Sequence, residues 1–236
     1  MIAFDIRYYH SIGSTNDEAM RLARDGAAHG TVVCAREQTA GRGRLSRQWH
    51  SPAGNLYLSI VLRLDAVADR VAQLGFVAAL AVADTVDHLL PGDVRAALKW
   101  PNDVLIRGAK VAGILIEAAG AMAIVGVGVN LRHAPADARY PVTTLAAECA
   151  APLDDVLHAL LDSFARWFAT WRRDGFPAIR AAWLPRAHPP GSPLRVAIGD
   201  SVMEGRFAGL ADDGSLLLET ADGPVRFVAG DVVVVR

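Results

Sequence analysis

The chain has 236 residues, 52% hydrophobic and 21% charged, with a formal net charge of −1. That length accommodates one large domain, or one domain plus a small one, and the composition is that of a soluble globular protein. A near-neutral balance argues against a protein that coats nucleic acid or an anionic membrane; the two distant cysteines, Cys34 and Cys149, argue against a disulfide framework or a CxxC zinc site.

Phe4 to Tyr9 reads as a first strand. Asp5 and Arg7 lie where a signal peptide would need an apolar run. Ser14-Thr15-Asn16-Asp17-Glu18 opens a helix, with Thr15 and Glu18 at capping-box spacing and Ala19, Met20, Leu22 and Ala23 as its apolar face. Thr31 to Arg36 is a strand, and Leu56 to Leu62 is a mostly apolar, buried one. Val71 to Leu90 is an Ala-rich helix ended by Pro91-Gly92. Its apolar part, Val71 to Ala83, is shorter than the roughly 20 residues of a membrane span. A cytoplasmic protein is therefore expected. Val94 to Trp100 is a strand stopped by Pro101, which lacks a backbone donor. Val104 to Ile106 and Lys110 to Glu117 form a hairpin around Arg107-Gly108-Ala109, followed by a valine-rich strand from Met122 to Leu131. Together these segments imply an α+β fold, a mixed sheet with helices packed on one face. Asp155 to Arg172 and Ala178 to Leu184 are further helices.

Composition changes at Pro185, and Pro189-Pro190-Gly191 reads as a linker. Five short strands follow: Leu194–Ile198, Val202–Gly209, Ser215–Glu219, Val225–Val228 and Val232–Val235. Gly- and Asp-rich turns separate them, the pattern of a small β-barrel. The expected division is 1–187 and 188–236. The second part carries four arginines against seven acids, the wrong sign for a nucleic-acid-binding barrel.

Five motifs could carry chemistry. In Gly41-Arg42-Gly43-Arg44-Leu45-Ser46-Arg47, glycines alternate with arginines between two strands that a shorter connection could join. Arginine presents a planar fork of donors to phosphate or carboxylate, and glycine lets the backbone approach a ligand. The run reads as a loop that closes over an anion. Ser14-Thr15-Asn16 can both cap a helix and offer hydroxyls and free N–H groups to a polar ligand head. Lys99-Trp100-Pro101-Asn102-Asp103 reads, on composition, as a tight turn with a packed Trp. Lys110 starts the strand Lys110-Val111-Ala112-Gly113-Ile114-Leu115, where small neighbours leave room for a ligand. Gly126-Val127-Gly128-Val129-Asn130 lacks the third glycine and the following helix of a dinucleotide fingerprint; its glycines instead make room for a flat ligand or a packed neighbour. The seven histidines show neither HxxxH nor HExxH spacing, so no metal centre is expected.

In this order, these motifs, with Gln38 and Trp49, resemble those of biotin protein ligases, whose chains end in a small SH3-like barrel. The resemblance spans nearly the whole chain, and the GRGR and KWPND runs are its most specific parts. It implies a class II synthetase-like catalytic domain and a two-step reaction. Biotin and ATP give biotinyl-5′-AMP, and biotin then passes to a lysine of a biotin carboxyl carrier protein, with Mg²⁺ accompanying ATP. By the same resemblance, Ser14, Thr15, Asn16, Gln38, Arg42, Gly43, Arg44, Lys110 and Gly113 contact biotin. Arg42, Arg44, Arg47, Trp49, Lys110 and Asn130 face ATP and the adenylate, and Lys110 and Arg44 are the catalytic pair. Some biotin ligases also repress transcription through an N-terminal helix-turn-helix domain. Only 13 residues precede Ser14 here, so a monofunctional enzyme without nucleic-acid or membrane partners, monomeric or homodimeric, is expected. Leu45-Ser46 interrupts a stretch that is often more basic in relatives. Lipoate ligases, which adenylate a different cofactor acid, and a non-catalytic biotin-binding protein are the alternatives.

Overall fold

The computed structural model describes residues 2–64, 70–138, 140–199 and 201–234. Seven strands build the first sheet: β1 (Asp5–Ile12), β2 (Thr31–Gln38), β3 (Leu56–Arg63), β4 (Ala96–Lys99), β5 (Asp103–Ile106), β6 (Ala109–Ala119) and β7 (Met122–Val129). They lie in the order β1-β2-β3-β7-β6-β5-β4. The helix α1 (Thr15–Arg24) is the crossover between the parallel pair β1 and β2, and the other neighbours are antiparallel. The sheet is therefore mixed, as expected.

Strand β3 is buried along both faces from Leu56 to Leu62, which accounts for its unbroken apolar run. Leu56, Leu58, Ile60 and Leu62 face the main core with α2 (Gln73–Leu89) and α3 (Leu153–Trp183). Val61 points the other way and joins Val33 and Ile124 under Ala19, Leu22 and Ala23 of α1. The two long helices thus share one face, while α1 departs from the expected arrangement and lies on the opposite face. A crossover of 18 residues between parallel neighbours must pass over one face of the sheet.

The capping-box reading of Thr15 and Glu18 gives way to a different start. Ser14 holds the extended N-cap position and Thr15 is the first helical residue, so the Thr15 side chain is turned toward β2 and β3. Glu18 instead accepts hydrogen bonds from Tyr9 and Arg21. The two C-terminal helices anticipated before Pro185 are present and run end to end as α3, separated by a sharp break at Gly175 with φ 74°. Glycine accepts that conformation at little steric cost, and Pro177 fits the first turn of the segment that resumes.

The second sheet contains β8 (Pro193–Ile198), β9 (Ser201–Leu210), β10 (Leu216–Thr220), β11 (Gly223–Phe227) and β12 (Asp231–Val234), all antiparallel, in the order β11-β10-β9-β8-β12. Its inward residues, among them Leu194, Val196, Phe207 and Leu218, continue the main apolar cluster. The two sheets are also joined by a polar contact. The buried Trp100 indole Nε1 donates to Gly214 O at 3.0 Å, and a methyl group at Gly214 would lie 2.7 Å from Phe76. Among the described residues no helix is long and apolar enough to cross a membrane.

Candidate active site

The face of the sheet that carries α1 also carries a cleft of about 1770 Å³, bounded on its far side by residues of β8 and β12. Its floor follows from strand register. Tyr57, Gly128 and Gly113 are aligned across β3, β7 and β6, and so are Ser59, Gly126 and Leu115. Alternate residues of one strand face one side, so both glycines of the Gly126-Val127-Gly128 run fall on the cleft side while Val125, Val127 and Val129 enter the main core. The glycines receive packed neighbours. A methyl group at Gly126 would stand 2.2 Å from Asn16 Oδ1, and one at Gly128 2.5 Å from Trp49 Nε1.

One end of the floor is a closed polar cluster. Gln38 Oε1 accepts from the Thr15 backbone N–H at 2.8 Å and from its hydroxyl at 3.1 Å. Gln38 Nε2 donates to Ser51 Oγ at 2.9 Å. Ser59 Oγ lies 2.8 Å from Thr15 Oγ1 and 2.6 Å from Asn16 Oδ1. Asn16 Nδ2 donates to Glu117 Oε2 at 2.7 Å. Thr15, Asn16 and Ser59 are all buried, so these hydrogen bonds meet the requirement that buried polar groups be paired. The cluster presents a rigid set of small donors and acceptors suited to a compact polar ring.

The other end is cationic. Lys110 is no ordinary strand-end lysine: its side chain is 9% exposed, and Nζ lies 2.5 Å from Asp103 Oδ1. Lys99 Nζ holds the second oxygen of the same carboxylate at 2.9 Å. Both ammonium groups sit over the Tyr140 ring, and Lys110 also sits 5.1 Å from the centre of a Trp49 ring. One carboxylate between two lysines leaves a net positive site in a partly dry cleft, where charge acts more strongly than in water. The Lys110 backbone is fixed by the 141–143 segment: its N–H donates to Pro141 O and its carbonyl accepts from Thr143 N–H. Asn130 is pinned to the same segment through Nδ2 and Thr143 O.

Between the two ends runs the Gly41–Arg47 loop. At Gly41 a methyl group would lie 2.4 Å from Ser51 Oγ and 2.5 Å from Trp49 O, so the chain crosses there only without a side chain. Leu45 and Ser46 both have positive φ, 54° and 57°, an uncommon conformation for residues other than glycine. The three arginines contact protein acceptors. Arg42 pairs with Asp17 and Glu117; burial pulls its pKa down, but the two carboxylates outweigh that and raise it. Arg44 Nη1 donates to Gly230 O at 3.2 Å and approaches Asn102 Oδ1 at 3.4 Å, and burial lowers its pKa. Arg47 pairs with Asp231 at the start of β12 and holds the Asp231 carboxyl below its usual range.

Every residue anticipated as a biotin or nucleotide contact, from Ser14 to Asn130, borders this one cleft. Sequence reasoning missed Ser59, Glu117, Tyr140 and Asp231, and left Asp103 without a role. Ser59 and Glu117 sit in runs that read as ordinary strand, so only register could have found them. Asp103 lay inside a motif already singled out, and its lysine partners become visible only when β4, β5 and β6 pair.

Residues 8–130 match the biotin/lipoate A/B protein ligase family. The chain belongs to that family. Residues 191–235 match the biotin protein ligase C-terminal domain, in agreement with the five-stranded sheet. Among members of the biotin/lipoate ligase family, the biotin–[acetyl-CoA-carboxylase] ligase of Paracoccus denitrificans is 42% identical over 93% of this chain and 96% of its own length. The biotin protein ligase of Aquifex aeolicus in complex with biotin and ATP has a TM-score of 0.84 and 27% identity, covering 98% of this chain and 99% of that one. The Leishmania major enzyme in complex with biotinyl-5-AMP has a TM-score of 0.66 and 26% identity, with 95% and 99% coverage.

Proposed function

We propose that this ligase makes biotinyl-5′-AMP from biotin and ATP and transfers biotin to a lysine of a biotin carboxyl carrier protein. The observation that carries the reading is that one cleft holds both ends: a polar cluster around Asn16 on one side and the buried Lys110–Asp103–Lys99 group on the other, joined by a glycine floor. Biotin's ureido ring meets the polar cluster, its apolar chain runs along the Trp49 indole that packs on Gly113 and Gly128, and its carboxylate reaches Lys110.

A carboxylate oxygen of biotin then attacks the α-phosphorus of ATP, and the bond to pyrophosphate breaks. Two anions must approach each other, and a fixed ammonium between them lowers that barrier. Asp103 holds Lys110 in place without quenching it, because Lys99 shares its charge. In the second step the carrier amine attacks the acyl carbon, the bond to AMP breaks, and the amine loses its proton. Arg44 and Arg42 of the loop cover the adenylate, with Arg47, Trp49 and Asn130 on the nucleotide side. A covered anhydride is sheltered from water.

Mg²⁺ accompanies ATP. Of the three acids that line the cleft, Asp103 and Asp231 are held by cations, which leaves Asp137, and among the described residues no group of three such side chains could hold a metal; the donor set does not fit a dedicated protein cage and suits a metal carried by the phosphates. Residues 1–187 form the catalytic part and 188–236 a barrel that closes the cleft through Gly230 and Asp231. The enzyme works in the cytoplasm as a monomer or homodimer, without binding nucleic acid. ATP–pyrophosphate exchange with biotin and with lipoate, followed by transfer to a carrier domain, tests the reading. Biotin-dependent exchange and carrier labelling are expected; exchange with lipoate alone would sink it, and no exchange with either acid would favour a binding protein.

A further inference from the structure

Glu117 lies at the far end of β6 from Lys110, seven residues along the strand, and has no part in the chemistry above. It nevertheless touches both the polar cluster and the loop. Its Oε2 accepts from Asn16 Nδ2 at 2.7 Å, and its carboxylate pairs with Arg42, at 3.1 Å through Oε1. A carboxylate only accepts hydrogen bonds. It therefore fixes which way round the Asn16 amide sits: the NH₂ group faces Glu117, with Leu115 O at 3.4 Å, and Oδ1 faces Ser59 and the floor of the cleft at Gly126.

That orientation decides what the cleft can bind. With both amide protons directed at protein acceptors, Asn16 offers a ligand only a carbonyl oxygen, which suits a ring N–H. Rotating the amide by half a turn would set an NH₂ group against that N–H, donor against donor. The same carboxylate also holds the first arginine of the loop, so an ordered Asn16 and a docked loop share one anchor. Asp17 is a second contact for Arg42 but makes none to Asn16.

We propose that Glu117 is a positioning residue that sets the Asn16 amide for the biotin ring and ties that setting to closure of the Arg42 loop. The inference rests on Asn16 meeting the ureido ring. Three variants separate its parts. Glu117→Ala removes both contacts, Glu117→Gln keeps an acceptor for Asn16 but loses the charge on Arg42, and Arg42→Ala removes the loop side together with the Asp17 pair and the cover Arg42 gives the adenylate. Each is measured for biotin KM and kcat in ATP–pyrophosphate exchange, for release of biotinyl-AMP, and for Tm.

Glu117→Ala is expected to raise the biotin KM at least tenfold, the cost of a lost charged hydrogen bond, with kcat changed far less. Glu117→Gln is expected to recover most of that KM while releasing biotinyl-AMP up to about fivefold faster, the scale of a half-exposed ion pair. Arg42→Ala should release biotinyl-AMP at least as fast, and Glu117→Gln should add little to release in the Arg42→Ala background. A biotin KM within twofold of wild type in Glu117→Ala, with or without a lower Tm, overturns the proposal, and so does an equal KM loss in Glu117→Gln. Wild-type enzyme without biotin-dependent exchange would overturn the functional reading itself, a result distinct from either.

Discussion

Replacing Lys110 by alanine gives the sharpest test of the site. The side chain is 9% exposed and Asp103 8%, so the pair is nearly dry. Removing one member of a buried pair costs about 3–5 kcal/mol when the other is left uncompensated. Here Lys99 stays 2.9 Å from the second Asp103 oxygen, and the space opened by the mutation adjoins the cleft, where water can enter. The stability loss is therefore expected below about 3 kcal/mol, a fall in Tm of less than about 12 °C for a chain of this size. The chemical loss is larger relative to what it acts on. Deleting a fixed group that meets developing charge costs about 2.7–4 kcal/mol of barrier, or about 10²–10³ in rate. Biotin-dependent ATP–pyrophosphate exchange should drop by that factor and reach background in a standard assay, while circular dichroism shows a folded protein. Exchange within threefold of wild type in a folded Lys110→Ala variant refutes the argument, because no other ammonium is held at that point of the floor: Lys99 would then be the working cation.

Arg44→Ala should leave the fold intact and let biotinyl-AMP escape, since Arg44 ties the loop to Gly230 O and Asn102; free intermediate in the filtrate of a spin column reports it, and retention equal to wild type removes Arg44 from the loop's closing role. Gly126→Ala should raise the biotin dissociation constant at least tenfold by calorimetry, with a stability cost of about 1–3 kcal/mol, because the new methyl would stand 2.2 Å from Asn16 Oδ1, an atom pinned by Ser59; unchanged affinity would show that Asn16 can move freely. Burial pushes the Cys34 thiol to about 11, so at pH 8 only about one molecule in 10³ carries the thiolate and Cys149, which is less buried, should react first with a disulfide reagent. The raised Cys34 value means that the native state holds its proton longer than the unfolded chain. Its contribution is therefore constant below about pH 9 and lost as pH rises toward 11; a urea midpoint that climbs over that interval contradicts the assignment.

Much of the fold could be read from local pattern. The unbroken apolar run of β3, the helix stop at Pro91-Gly92, the Arg107-Gly108 hairpin and the five short strands after Pro190 all answer to rules that act within a few residues. So does the break in α3, where Gly175 and Pro177 interrupt the helical period. The side of the sheet on which α1 lies could not be read that way.

The same division holds at the site. By itself the sequence determined the ingredients: a glycine–arginine loop able to close on an anion, a lysine with small neighbours, a hydroxyl-rich helix start, and an order of motifs that pointed to biotin. Their identities depend on residue type and short spacing, which one dimension records. The tertiary structure alone decided their partners. Asp103 meets Lys110 because β5 and β6 pair, Gly126 admits Asn16 because β7 lies between β3 and β6, and Glu117 reaches both Asn16 and Arg42 from the strand that carries Lys110. Charge pairing and amide orientation depend on distances of a few ångströms between residues up to 101 positions apart. Strand register sets those distances, and register belongs to the whole sheet.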